Sequence, residues 1–109
     1  MHVPCSFAPF GMDPEGHPTL REFYAGLIRG RNVLLADDVR NTGQTLERAA
    51  SLVRRAGGRV LAAAVICDRM ESIVGSDVPL VPLVEYAAPE NYPVDRCPLC
   101  TAGVPITTF

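Results

Sequence analysis

Two adjacent carboxylates at the end of an apolar run constrain this chain more than any other feature. Residues 32–45, NVLLADDVRNTGQT, place Asp37 and Asp38 directly after Val33, Leu34, Leu35 and Ala36. Apolar residues without alternation suit a strand covered on both faces, as in a parallel sheet. The acids then stand where that strand emerges, and in open α/β sheets ligands bind outside the carboxyl ends of strands. A polar loop follows and runs into LERAASLVRRA, where Leu46, Ala49, Ala50, Val53 and Ala56 repeat at helical spacing. A helix is expected from Thr45 to about Ala56, closed by Gly57-Gly58, with Arg54 and Arg55 near the negative end of its dipole.

The start of that helix is suited to an anion. Its first turn leaves backbone N–H groups without intrahelical partners, and the macrodipole puts partial positive charge there. Gly43 lets the backbone approach a ligand closely, while Asn41, Thr42, Gln44 and Thr45 supply side-chain donors. Carboxylates beside such a loop ask for a ligand with hydroxyls and a phosphate, as in ribose 5-phosphate.

Residues 60–67, VLAAAVIC, form a second apolar run of strand length and complete a βαβ unit with a right-handed crossover. The three alanines suggest close packing against helices. Pro79 and Pro82 restrict the next run, residues 80–84, to an edge strand. Glu47, Arg48, Ser51, Arg54 and Arg55 make the wet face of the helix between the two strands.

Upstream, residues 1–18 contain four prolines and two glycines and read as irregular. The chain thus divides into an irregular segment, 1–18, and an α/β domain over 19–109 with a cysteine-containing tail. Leu20, Phe23, Tyr24, Leu27 and Ile28 fall at helical spacing, with Thr19 as a candidate cap and Glu22 three residues on.

Composition excludes several classes. A net charge of -2 gives no footprint for nucleic acid, and no apolar run approaches the length of a membrane helix. All ten cationic residues are arginines, so no lysine of this chain takes part in any chemistry. The opening residues lack the basic and apolar regions of a secretory signal. Cys5, Cys67, Cys97 and Cys100 are too scattered for a secreted disulfide scaffold, and a cytoplasmic setting with reduced thiols is expected.

NVLLADDVRNTGQT resembles the phosphoribosyl-pyrophosphate signature of the type I phosphoribosyltransferases. ICDRMES, residues 66–72, is similar to a segment of the orotate-type members, and the CPLC tail resembles the ending of a subset of them. The resemblance implies the phosphoribosyltransferase α/β fold, a parallel sheet flanked by helices. It also implies transfer of a phosphoribosyl group from phosphoribosyl pyrophosphate to a nucleobase, with orotate first, in a magnesium-dependent homodimer.

By the same resemblance Asp37 and Asp38 are catalytic and hold the ribose hydroxyls, Asn41, Thr42, Gly43, Gln44 and Thr45 hold the 5-phosphate, and Arg69 reads the base. Magnesium belongs with the pyrophosphate, and no residue is assigned as a dedicated metal ligand. Asn41 and Gln44 depart from the common Thr and Gly or Thr of the loop, which puts affinity in question. Relatives are usually longer and carry an upstream pyrophosphate loop, so an N-terminally incomplete or trimmed chain is expected. The lysine they carry near the active site has only His17 or Arg21 as cationic stand-ins here. For residues 19–28 the resemblance implies an arm of a hairpin, against the helical spacing.

Alternatives remain. Arg69 would be an ordinary surface arginine if paired with Asp68 or Glu71. Cys97 and Cys100 suit half a zinc site completed by Cys5 and Cys67 or across a dimer, a redox pair, or plain thiols. VLLADD also resembles the first strand of a receiver domain, but the lysine that machine needs is missing. A non-catalytic nucleotide-binding module on the phosphoribosyltransferase fold is the other reading.

Overall fold

The computed structural model describes residues 4–71, 77–87, 92–105 and 107. Its centre is a three-stranded parallel sheet in the order β3-β4-β5, formed by β3 (Asn32–Arg40), β4 (Arg59–Asp68) and β5 (Leu80–Glu85). Helix α2 (Gln44–Arg55) connects β3 to β4, as the periodicities predict. Gly57 takes φ 86° and ends the helix, with Gly58 N–H donating to the Val53 carbonyl and Gly57 N–H to that of Arg54. This paired bonding is the Schellman arrangement that a glycine after the last turn permits. The strand that contains Pro82 and follows Pro79 is indeed at the sheet edge.

One face of the sheet packs on helices. Leu35 and Ala63, opposite each other across β3 and β4, bury with Ala49, Ala50 and Val53 of α2 and Ile28. Ile28 ends α1 (Glu22–Ile28), so helical spacing prevails over the hairpin arm between 22 and 28. Only part of that apolar stripe is covered, since Phe23 is 72% exposed and stacks edge-on against Tyr24. Thr19 does not cap α1, because the cap position is Arg21 and makes no side-chain bond. Thr19 instead belongs to β2 (Pro18–Thr19), which pairs antiparallel with β1 (Gly11–Met12). This small hairpin corrects the irregular reading of residues 11–18. Asp13 closes its turn, its carboxylate accepting from the His17 N–H at 2.7 Å.

The other face differs from expectation. Side chains alternate along a strand, so Leu34, Ala36, Ala62, Ala64, Ile66, Val81 and Leu83 share the side away from α2. Leu34, Ile66 and Leu83 are 61%, 59% and 78% exposed. The unbroken apolar run in β3 predicts a strand buried on both sides. Its composition has that character, but no described element covers the second face. For the same reason only Ala63 of the three alanines is fully packed; Ala62 and Ala64 alternate with it or face outward. The radius of gyration, 17.1 Å, exceeds the value of about 13 Å usual for a compact domain of this length.

Candidate functional site

Strand β3 does not stop before the acids. It continues to Arg40, in register with β4 as Asp37 opposite Val65 and Arg40 opposite Asp68. Asp37 and Asp38 therefore lie within its last turns, on alternating sides, rather than beyond its end. Each carboxylate accepts a hydrogen bond from the next amide: Asp38 N–H to Asp37 Oδ1 at 3.0 Å, and Val39 N–H to Asp38 Oδ1 at 2.7 Å. Neither of these two bonds uses Oδ2, an oxygen that suits a hydroxyl donor. Both acids border an open cavity of about 550 Å³ whose remaining wall is the apolar sheet face, including Ala64, Ile66 and Leu83.

Burial pushes the Asp37 carboxyl above its ordinary range, and the neighbouring Asp38 charge adds to this while the Asp38 amide opposes it. The folded state thus holds the proton more firmly than the unfolded one. Asp37 contributes most to stability below the ordinary carboxyl range, and that contribution falls as pH rises through the raised pKa. Asp37→Asn keeps a neutral group at every pH. Its melting temperature is expected to exceed that of the parent at about pH 7, with the advantage lost near pH 3 in a melt series.

The loop meets the helix as anticipated. Gly43 is left-handed at φ 86° and stands at the N-cap of α2 without any side-chain cap. The first i to i−4 bond runs from Glu47 N–H to the Gly43 carbonyl at 3.0 Å, so the amides of the turn before it have no intrahelical acceptor. Thr42 Oγ1 lies 3.4 Å from the Gln44 amide. Asn41, exposed, accepts from Arg69 Nη1 at 3.0 Å, and Arg69 Nη2 pairs with Glu71 at 3.0 Å. Arg69 therefore joins the phosphate-loop candidate across the strand ends. The cavity beside the acids is lined by neither the loop nor Arg69.

Sequence reasoning missed what ties these parts together. Asp68 is 6% exposed, and its two carboxylate oxygens accept from Arg40 Nη1 at 3.0 and 3.1 Å. The Met70 amide donates to the same carboxylate, with Met70 held at φ 60°, and the Arg69 amide donates to the Arg40 carbonyl. A Cβ on Gly43 would lie 3.4 Å from Arg40 Nε, so the guanidinium lies against the loop. One buried ion pair thus sets the ends of β3 and β4, the approach to Gly43 and the base of Arg69. The available signal was that both residues terminate apolar strands, one beside each candidate binding residue.

Two other groups stand apart. Asp13, Glu15 and His17 bring ligand atoms within 4.8 Å of one another in the hairpin turn; no other such group of three occurs among the described residues. A cavity of about 350 Å³ lies between the hairpin and α2, bordered by His17, Glu47, Arg48 and Arg55. Glu47, expected on the wet face, has a buried Oε1 without a hydrogen-bond partner among the described residues. Cys5 and Cys67 do not join Cys97 and Cys100 in a ligand cluster among the described residues.

Residues 12–90 match the family model for the phosphoribosyl transferase domain. The chain belongs to the phosphoribosyltransferase family. Its parallel sheet flanked by helices is the phosphoribosyltransferase fold. An orotate phosphoribosyltransferase of Carboxydothermus hydrogenoformans is 38% identical over 97 residues, covering 89% of this chain and 50% of that protein. One from a Thermoanaerobacter species is 33% identical over 99 residues, covering 91% and 51%. Among solved structures, an adenine phosphoribosyltransferase from Rhodothermus marinus superposes with a TM-score of 0.53 at 27% identity, over 76% of this chain and 50% of that one. The chain spans about half the length of the curated phosphoribosyltransferases it matches. Among the described residues, no helix is long and apolar enough to cross a membrane.

Proposed function

We propose that this protein binds phosphoribosyl pyrophosphate and transfers its phosphoribosyl group to a nucleobase, with orotate as the base. The observation that carries this is the acid pair of β3, followed within one short loop by a left-handed glycine that opens a twelve-residue helix. In this reading Asp37 and Asp38 accept from the ribose hydroxyls, and Asn41, Thr42, Gly43, Gln44 and Thr45 hold the 5-phosphate. Arg69 exchanges its present acceptors, Asn41 and Glu71, for a carbonyl or carboxylate of the base, which a planar fork donor fits.

As pyrophosphate leaves, positive charge develops at the anomeric carbon. Fixed carboxylates beside the ribose stabilise that charge, and the amides at the start of α2 keep the phosphate end still. No covalent nucleophile is required. The exposed Asp38 and half-buried Asp37 also suit magnesium, which keeps waters and phosphate oxygens and takes few protein carboxylates. When bound, the ion would neutralise charge on the leaving pyrophosphate. The names of the curated relatives favour orotate over adenine. A cytosolic homodimer belongs to the same reading.

Titration calorimetry with phosphoribosyl pyrophosphate and magnesium tests it. The Asp37→Asn/Asp38→Asn double variant is expected to bind at least about 100-fold more weakly, the loss of two charge-assisted contacts, with an unchanged circular dichroism spectrum. Equal affinity in parent and variant would refute the site. An orotate-consumption assay then separates transferase from a non-catalytic binding module. Binding without turnover would select the latter reading.

A further inference from the structure

We propose, resting on the reading above that residues 41–45 hold a 5-phosphate, that Arg40 belongs to that subsite and grips the phosphate through the Nε–Nη2 edge of its guanidinium. Arg40 ends β3, in register with Asp68 at the end of β4. The ion pair between them uses one arginine nitrogen alone: Nη1 donates to Asp68 Oδ1 at 3.0 Å and to Oδ2 at 3.1 Å. Among the described residues, Nε and Nη2 have no acceptor. These two nitrogens make the side of the guanidinium whose parallel N–H bonds match two oxygens of one phosphate. The Arg40 side chain is 15% exposed, so water reaches the edge only in part, and donors in such surroundings normally have a partner.

The unspent edge is the one turned toward the loop. A Cβ on Gly43 would lie 3.4 Å from Nε and 3.7 Å from Nη2, with Cζ behind them at 4.0 Å. Gly43 also stands directly before the first turn of α2, whose amides precede the first i to i−4 bond of the helix. Backbone donors and a cation therefore meet at one glycine, and a phosphomonoester dianion can accept from both. The loop itself supplies no such charge, since Asn41, Thr42, Gly43, Gln44 and Thr45 are all neutral and the chain has no lysine. Arg69, also beside the loop, is already engaged, its Nη1 donating to Asn41 Oδ1 and its Nη2 paired with Glu71. Asp68 thus fixes the guanidinium by one nitrogen and leaves the fork for the ligand.

The test is to titrate the full chain, labelled with 15N-arginine, with ribose 5-phosphate and follow the guanidinium Nε–H signals by NMR, that of Arg40 being assigned by its loss in Arg40→Lys. On saturation this signal is expected to move downfield and to exchange more slowly with water, a response that a residue shaping the loop without touching the ligand would not give. Calorimetry with the same ligand is expected to show about 10-fold weaker binding for Arg40→Lys, which keeps a cation for Asp68 but loses the fork. Should the lysine variant not fold, Arg40→Gln/Asp68→Asn, a neutral pair of similar shape, is expected to show at least the same loss. Binding by the parent that Asp37→Asn/Asp38→Asn weakens, with the Arg40 signal unmoved or the affinity of the Arg40 variants unchanged, would overturn the Arg40 contact alone. No binding of ribose 5-phosphate or phosphoribosyl pyrophosphate by the parent would overturn the phosphate loop and the contact together.

Discussion

Asp68→Ala is expected to destabilise the chain by about 3–5 kcal/mol in urea unfolding, the usual cost of leaving a buried charge without its partner. Arg40 and Asp68 side chains are only 15% and 9% exposed, so water would replace the lost carboxylate poorly. The Met70 amide loses its acceptor in the same step, which removes what holds that residue in left-handed backbone. An Arg40→Met/Asp68→Leu double variant separates the two possible origins of the loss. If the penalty is the orphaned charge, the double variant recovers most of the stability, since apolar replacements of a buried pair are often neutral. Its affinity for phosphoribosyl pyrophosphate should still fall, because Arg40 no longer lies against Gly43. Recovery of both stability and affinity would show that the pair has no positioning role.

The second large effect is expected at Gly58→Ala, at about 1–3 kcal/mol, from overpacking. A Cβ there would collide with Ile28 Cγ2 and lie 2.8 Å from Val53 Cγ1 and 3.3 Å from the Ile28 carbonyl. Val53 is fully buried and Ile28 nearly so, leaving little room for either to move. Backbone conformation is not the cause, because Gly58 is absent from the residues with positive φ. Ile28→Ala in the same background removes the nearest obstacle. The two changes together should therefore cost less than the sum of each alone, a coupling that paired denaturation curves measure directly.

Much of the fold was legible because it depends on local pattern. The apolar run of β3, the period of α2, the glycine stop and the prolines that confine β5 to an edge can all be read within a few residues. Coverage could not be read in this way. Leu34 and Leu35 are adjacent and equally apolar, yet one is 61% exposed and the other 3%, because only α2 decides which side of β3 is the inside. The site divides similarly. Asp37, Asp38 and the loop around Gly43 stand together in sequence, so their nearness in the fold follows from the chain itself. Arg40 and Asp68 are 28 residues apart, and their pairing follows only once the strands are in register. Thr19 had the right chemistry for a helix cap, but a two-residue ladder with Gly11 drew it into the hairpin.

The sheet can be lengthened sideways at only one border without difficulty. β5 ends one border with a proline at its middle, a poor template for another strand. At the opposite border, β3 has no neighbour among the described residues, and it carries both acids. Any added strand, from a longer form of this polypeptide or from another molecule, would dock against the very strand proposed to hold the sugar. Quaternary growth and ligand occupancy are then read by the same nine residues, and each should alter the other.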